Sequence, residues 1–156
     1  MVQAIPAGYT GVTAYLIIRN AARALEFYTK AFGATEVLRL PGPNGSIAHA
    51  EIRVGDGHVM LADESVDMGY RGPEALGGSP VSLMVYVADV DACVARALAA
   101  GATVKHPVKD QFYGDRSGSV TDPFGYVWTI ATHTEDVAPA EMERRMAAMM
   151  SGTASG

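Results

Sequence analysis

Apolar residues recur at helical spacing in three stretches of the chain. Over about 20–32, Ala21, Leu25, Tyr28 and Phe32 fall on one face; Asn20 is placed to cap that helix and Gly33 to stop it. Over about 89–100, Val90, Cys93, Val94, Ala97 and Leu98 form the stripe, Asp89 is the cap and Gly101 the stop. Over about 139–150, Pro139 suits the first turn, and Met142, Met146, Met149 and Met150 share a face. A methionine stripe of this kind predicts docking on the body of the protein or on a second subunit. Shorter apolar or alternating runs predict strands over about 12–18, 35–40, 46–54 and 58–63, and again over about 81–88, 103–109, 118–121 and 127–133. Turn residues separate them: Pro41-Gly42-Pro43-Asn44-Gly45, Gly55-Asp56-Gly57 and Asp122-Pro123-Phe124-Gly125.

The two halves are built alike. Phe32-Gly33-Ala34-Thr35 matches Ala100-Gly101-Ala102-Thr103 at an offset of 68 positions. Gly57 and Gly125 are also 68 residues apart, and Gly57-His58-Val59-Met60-Leu61-Ala62 overlays Gly125-Tyr126-Val127-Trp128-Thr129-Ile130. The expectation is an α+β fold of two βαβββ modules in one domain over 1–135. Module one covers about 9–64, a Gly- and Pro-rich linker about 65–80, and module two about 81–133. An extra C-terminal helix and a frayed tail follow over 136–156. Two copies indicate duplication, whereas a solenoid needs three or more units.

Composition narrows the function. Apolar residues at 49% and charged residues at 19% exclude a largely disordered chain. Twelve basic and seventeen acidic side chains give a net charge of -5 without a Lys/Arg cluster, which argues against nucleic acid or an anionic membrane as partner. No apolar run approaches the roughly 20 residues of a membrane span, and the first ten residues do not read as a signal peptide. The single Cys93 cannot form an internal disulfide, which fits a reducing cytoplasm.

Within 46–54, His49, Glu51 and Arg53 alternate with Ala48, Ala50, Ile52 and Val54, so the polar three share one side of the strand. His49 and Glu51 are a candidate pair for proton transfer or for gripping a polar ligand; the same placement also serves a solvated face. Phe112-Tyr113-Gly114-Asp115-Arg116 reads as a loop. There Tyr113 is suited to stacking or hydrogen bonding and Arg116 to holding a carboxylate, the alternative being a local Asp115–Arg116 pair. Trp128 and Cys93 read as core.

The ordered set Ala24-Leu25-Glu26-Phe27-Tyr28 leading to Phe32-Gly33-Ala34, then Ile47-Ala48-His49-Ala50-Glu51-Ile52, then Gln111 through Gly118, then Val120-Thr121-Asp122-Pro123-Phe124-Gly125, resembles the vicinal oxygen chelate superfamily. That superfamily includes glyoxalases, bleomycin-resistance proteins and dioxygenases; within it the chain is similar to the PhnB-like branch. The resemblance implies an open curved-sheet cleft, helices outside it, and a homodimer. It also implies a metal site at four matching strand positions, which here fall on Thr13, Leu61, Ser82 and Thr129. None of the four is a carboxylate or imidazole, so the expectation is no metal and no cofactor, a divalent ion being the alternative. Tyr15, Met84 and Tyr86 are in step with Thr13 and Ser82 and would line the same cleft. A metal-free, resistance-type protein holding an apolar or aromatic small molecule is the leading expectation. A glyoxalase-like lyase, isomerase or dioxygenase using a metal or His49 and Glu51, and a non-catalytic interaction module, are the alternatives.

Overall fold

A computed structural model describes residues 1–152; the tail residues 153–156 of the expected frayed end lie outside them. Module one is β1 (Ala14–Ile18), α1 (Ala21–Phe32), β2 (Thr35–Pro41), β3 (Ile47–Val54) and β4 (Gly57–Asp63). A linker carries the short helix α2 (Pro73–Leu76). Module two is β5 (Leu83–Tyr86), α3 (Val90–Ala99), β6 (Thr103–Asp110), β7 (Asp115–Thr121) and β8 (Val127–His133), and α4 (Pro139–Met150) follows. The sheets run β1-β4-β3-β2 and β5-β8-β7-β6, each with a parallel first pair and antiparallel remainder. The duplicated α+β fold is thus present, with its C-terminal helix. Among the described residues no helix is long and apolar enough to cross a membrane.

The helix signals act as expected at their starts. The Asn20 side chain accepts from the Arg23 amide, and Asp89 accepts from the Ala92 amide. α1 covers one face of the first sheet, α3 one face of the second, and the two helices pack against each other. Leu25, Tyr28, Val90, Cys93, Trp128 and Ile130 belong to the one core that results. Among the described residues no helix packs on the other face of either sheet. Rather than lining one cleft, Tyr15 lies on the open face of one module and Met84 and Tyr86 on that of the other, all about half exposed.

Asp122 ties the modules together. Its buried carboxylate accepts from the Phe124 and Tyr126 amides through Oδ1, and from the Tyr28 hydroxyl and Trp128 Nε1–H through Oδ2, at 2.8 to 3.0 Å. Burial pushes this carboxyl up, while those four hydrogen bonds pull it back towards ionisation. Tyr28 comes from α1, so the Asp-Pro-Phe-Gly turn of module two is fastened to the helix of module one.

The internal repeat has a step in it. Arg53 lies opposite His58 with four residues between them, and its counterpart Thr121 lies opposite Val127 with five between them. The offset between modules is 68 residues for β3 and β7, but 69 for β4 and β8. A one-residue slip in a strand moves every side chain to the other face.

Candidate functional site

That slip relocates one expected site residue. Tyr15 pairs with Met60, which pairs with Glu51; Met84 pairs with Thr129, which pairs with Ser119. The counterpart of Thr129 is therefore Met60. Leu61 is fully buried towards α1 and is not a cleft residue. Thr13 and Ser82 stand just before β1 and β5, at the entrance of the two faces. The four positions implied for a metal are then Thr13, Met60, Ser82 and Thr129: three neutral hydroxyls and a thioether. This donor set does not suit a hard divalent cation. Thr129 is engaged instead with the Ser119 hydroxyl at 3.0 Å. Among the described residues no three His, Cys, Asp or Glu side chains converge as a metal-holding group.

The face of module one holds a cavity of about 560 Å³. Tyr15 and Ile17 of β1, Ile47 and Ala48 of β3, Ala62 of β4, and Met68 and Tyr70 of the linker give it a mainly apolar wall. The linker forms this wall because it folds back over β1. Ser65 and Tyr70 bond to each other's backbone, and the Gly72 amide donates to Glu64 at 2.7 Å.

A chain of polar groups enters the cavity at Tyr15. The Tyr15 hydroxyl lies 2.7 Å from His49 Nδ1, and His49 Nε2 lies 2.9 Å from Glu51 Oε1. The Tyr9 hydroxyl donates to the other Glu51 oxygen. His49 and Glu51 are partly shielded, at 23% and 15% side-chain exposure, while Tyr15 at the head of the series is half exposed. The hydrogen bonds from His49 and then Tyr9 hold the Glu51 carboxyl below its usual range. Burial, with Tyr70 and Glu51 nearby, pushes the Tyr15 phenol up, so it keeps its proton. The face alternation of the strand brings His49 and Glu51 together as expected. Tyr9 carried no sequence signal: it lies forty-two residues from the carboxylate it meets, and its ring packs tilted against His58, with centroids 4.4 Å apart.

The face of module two is arranged differently. Asp115, nearly fully buried, accepts from the Tyr86 hydroxyl at 2.7 Å and pairs with His133 Nδ1 at 2.8 Å, while His133 Nε2 meets Asp136 at 3.0 Å. Tyr113 reaches towards Ser117 on this face, at 3.4 Å. Arg116 does not join it. Neighbouring strand residues point to opposite sides, and Arg116 is turned to α3, where Asp91 binds it at 2.8 and 2.9 Å, while Asp110 at the end of β6 binds it at 3.1 Å. With its guanidinium committed to two carboxylates, it is not placed as a ligand anchor. Nor does Asp115 pair with Arg116. His133 sits between Asp115 and Asp136, which raise its pKa in that order of effect. The folded protein thus binds this proton more tightly than the unfolded chain does. The associated stabilisation is complete below about pH 6.5 and fades as pH rises through the folded value. In a histidine NMR titration, His133 is expected to titrate above 6.5, and Asp136→Ala to lower the midpoint; an unmoved midpoint would contradict the pairing.

The α4 methionines are only partly covered: Met146, Met149 and Met150 are exposed. The helix is held by Arg145, which donates to both oxygens of Glu135 and to the Phe112 carbonyl, rather than by burial of its apolar stripe.

Comparison with known proteins places this geometry. A family described as the Glyoxalase/Bleomycin resistance protein/Dioxygenase superfamily matches residues 10–130. The uncharacterized protein Rv0887c of Mycobacterium tuberculosis is 43% identical over 141 residues, 88% of this chain and 83% of that protein. The crystal structure of TioX from Micromonospora sp. ML1 is 28% identical with a TM-score of 0.62, over 83% of this chain and 100% of TioX. The PhnB protein from Bacillus cereus has a TM-score of 0.63 over 79% of this chain and 99% of its own, at 19% identity, a likeness of fold alone.

Proposed function

The chain belongs to the Glyoxalase/Bleomycin resistance protein/Dioxygenase superfamily, and on that premise we propose that it is a metal-free small-molecule binding protein of the resistance type, close to the PhnB-like branch. The observation that carries this reading is the pairing of a mainly apolar cavity, whose lining carboxylates Asp63 and Glu64 already accept from backbone amides, with a poor metal-donor set. The cavity of about 560 Å³ is of ligand size and is walled by Tyr15, Ile17, Met68 and Tyr70. Thr13, Met60, Ser82 and Thr129 offer a metal no charged ligand. An aromatic or apolar compound fits such walls better than a sugar or phosphate does.

The active form is a homodimer. Tyr15 on one module and Met84 and Tyr86 on the other remain about half exposed on faces that no helix among the described residues covers. A second copy laying its module-two face over this module-one face would close the cavity and bring Tyr86 and Tyr113 to its mouth. The single reduced Cys93, buried against the Ala31 carbonyl, agrees with a cytoplasmic setting.

A thermal-shift screen of aromatic and aliphatic compounds tests the reading, with metal analysis of the same purified protein. Stabilisation by several apolar aromatics, at a metal content well below one ion per chain, is expected. Stabilisation by none, or a stoichiometric divalent ion retained through purification, would overturn it.

A further inference from the structure

We propose that the cavity takes an aromatic ligand carrying an acidic hydroxyl, a phenol or an enol, and that Tyr15 passes the ligand's proton to His49, so that the compound is held as its anion. This inference rests on reading the cavity as a small-molecule site. A purely apolar ligand has no use for a series of four polar groups that reaches the cavity wall at Tyr15.

Donor and acceptor accounting fixes the direction. Glu51 is ionised and only accepts, so His49 Nε2 carries the hydrogen given to Oε1 at 2.9 Å. In the neutral imidazole Nδ1 is then an acceptor, and the Tyr15 hydroxyl donates to it at 2.7 Å. Tyr9 donates to the second Glu51 oxygen, which saturates that carboxylate's inward side. The free capacity of the series is the pair of lone pairs on Tyr15 Oη, at the cavity wall. The resting chain therefore presents a proton acceptor to the ligand.

The transfer balances without any oxidant or added partner. The ligand O–H bond breaks and its proton joins Tyr15 Oη. The proton that Tyr15 held moves to His49 Nδ1. The electron pair of the broken bond stays on the ligand oxygen, which now accepts from the Tyr15 hydroxyl. The imidazolium lies between that hydroxyl and Glu51, whose negative charge compensates it. Tyr15 never needs to persist as a tyrosinate beside Glu51. The ionisable groups around His49 are Tyr15 on β1, Glu51 on β3, Tyr9 on the N-terminal segment, and, one shell out, His58 on β4 and Tyr70 on the linker. The cations near this series are Arg53, on the same side of β3 beyond Glu51, and His58 when protonated.

Two measurements test the inference. In the ligand-free protein, nitrogen-15 NMR of the imidazole should show His49 as the Nε2–H tautomer; the Nδ1–H tautomer would overturn the proposal. The probe for transfer is 4-nitrophenol, whose phenolate absorbs visible light. Bound at saturation, its apparent pKa should fall by about one unit, tenfold more phenolate at a given pH. Tyr15→Phe should bind the probe with its pKa unshifted, and Glu51→Gln should lose most of the shift. Absence of 4-nitrophenol binding, or a shift that survives Tyr15→Phe, would overturn the proposal. 4-Nitroanisole, which has no hydroxyl proton, separates the two readings. If it binds while 4-nitrophenol does not ionise, only the proton transfer fails. If neither compound nor the wider screen gives binding, the cavity reading itself fails.

Discussion

Asp122→Ala is expected to destabilise the protein by about 3–5 kcal/mol, the range for removing one partner from a buried charged network. The carboxylate serves four donors at once. Its loss leaves the Tyr28 hydroxyl and the Trp128 indole N–H inside the core without an acceptor, since both are buried among apolar residues. It also frees the Phe124 and Tyr126 amides that shape the turn. The damage reaches the contact between modules, because Tyr28 belongs to α1 and packs on Trp128 and Phe124. In a chain of this size the melting temperature should drop by about 10 °C or more. Tyr28→Phe removes one donor and leaves the carboxylate three, so its cost should be nearer 1 kcal/mol. Thermal unfolding followed by circular dichroism checks both. An Asp122→Ala variant melting within about 2 °C of the parent would show that the turn does not join the modules.

The same turn explains why the repeat could be read from the sequence and yet misplace a residue. Gly57 and Gly125 are aligned by the 68-residue offset, and both lie at hairpin ends. The five-residue turn that Asp122 organises lets β8 run one residue later than β4 does. Hydrophobicity could not expose the step, because Met60 and Leu61 are both apolar and either could face the helix. The backbone pairing decides it. Strand β7 was legible only in its second half. Asp115, Arg116 and Ser117 read as loop, since polar residues seldom announce a central strand, but pairing with β6 and β8 on both sides carries the strand to Asp115. That extension sends Arg116 to Asp91 and Asp115 to Tyr86 and His133. In contrast, β8 and α4 begin and end where their patterns predict. His49 and Glu51 were legible because period-two alternation is local. Tyr9 and Tyr70 were not, because their place at the site depends on how two irregular segments fold back over the sheet.

Gly114→Ala is expected to be the second most damaging single change, at about 2–4 kcal/mol, from backbone strain and overpacking together. Gly114 has φ +95°, a conformation that side-chain-bearing residues rarely adopt. A Cβ there would stand 2.1 Å from the Glu135 carbonyl oxygen, so backbone rather than a flexible side chain would have to yield. The close approach has a purpose: the Gly114 carbonyl accepts from the Thr134 and Glu135 amides and from the Thr134 hydroxyl, each at 2.9 Å. This clamp positions Glu135, whose carboxylate holds Arg145 of α4. Pushing the segment away should therefore release α4 from the body before the two sheets unfold. Amide hydrogen exchange should show protection lost across 139–150 while β7 and β8 keep theirs, with a lower melting temperature. Arg145→Ala should reproduce the loss of protection in α4 without the strain at Gly114, and so with a smaller drop in melting temperature. If Gly114→Ala left α4 protected as before, the clamp would not be what docks the helix, and Arg145 would have to hold it through Phe112 alone.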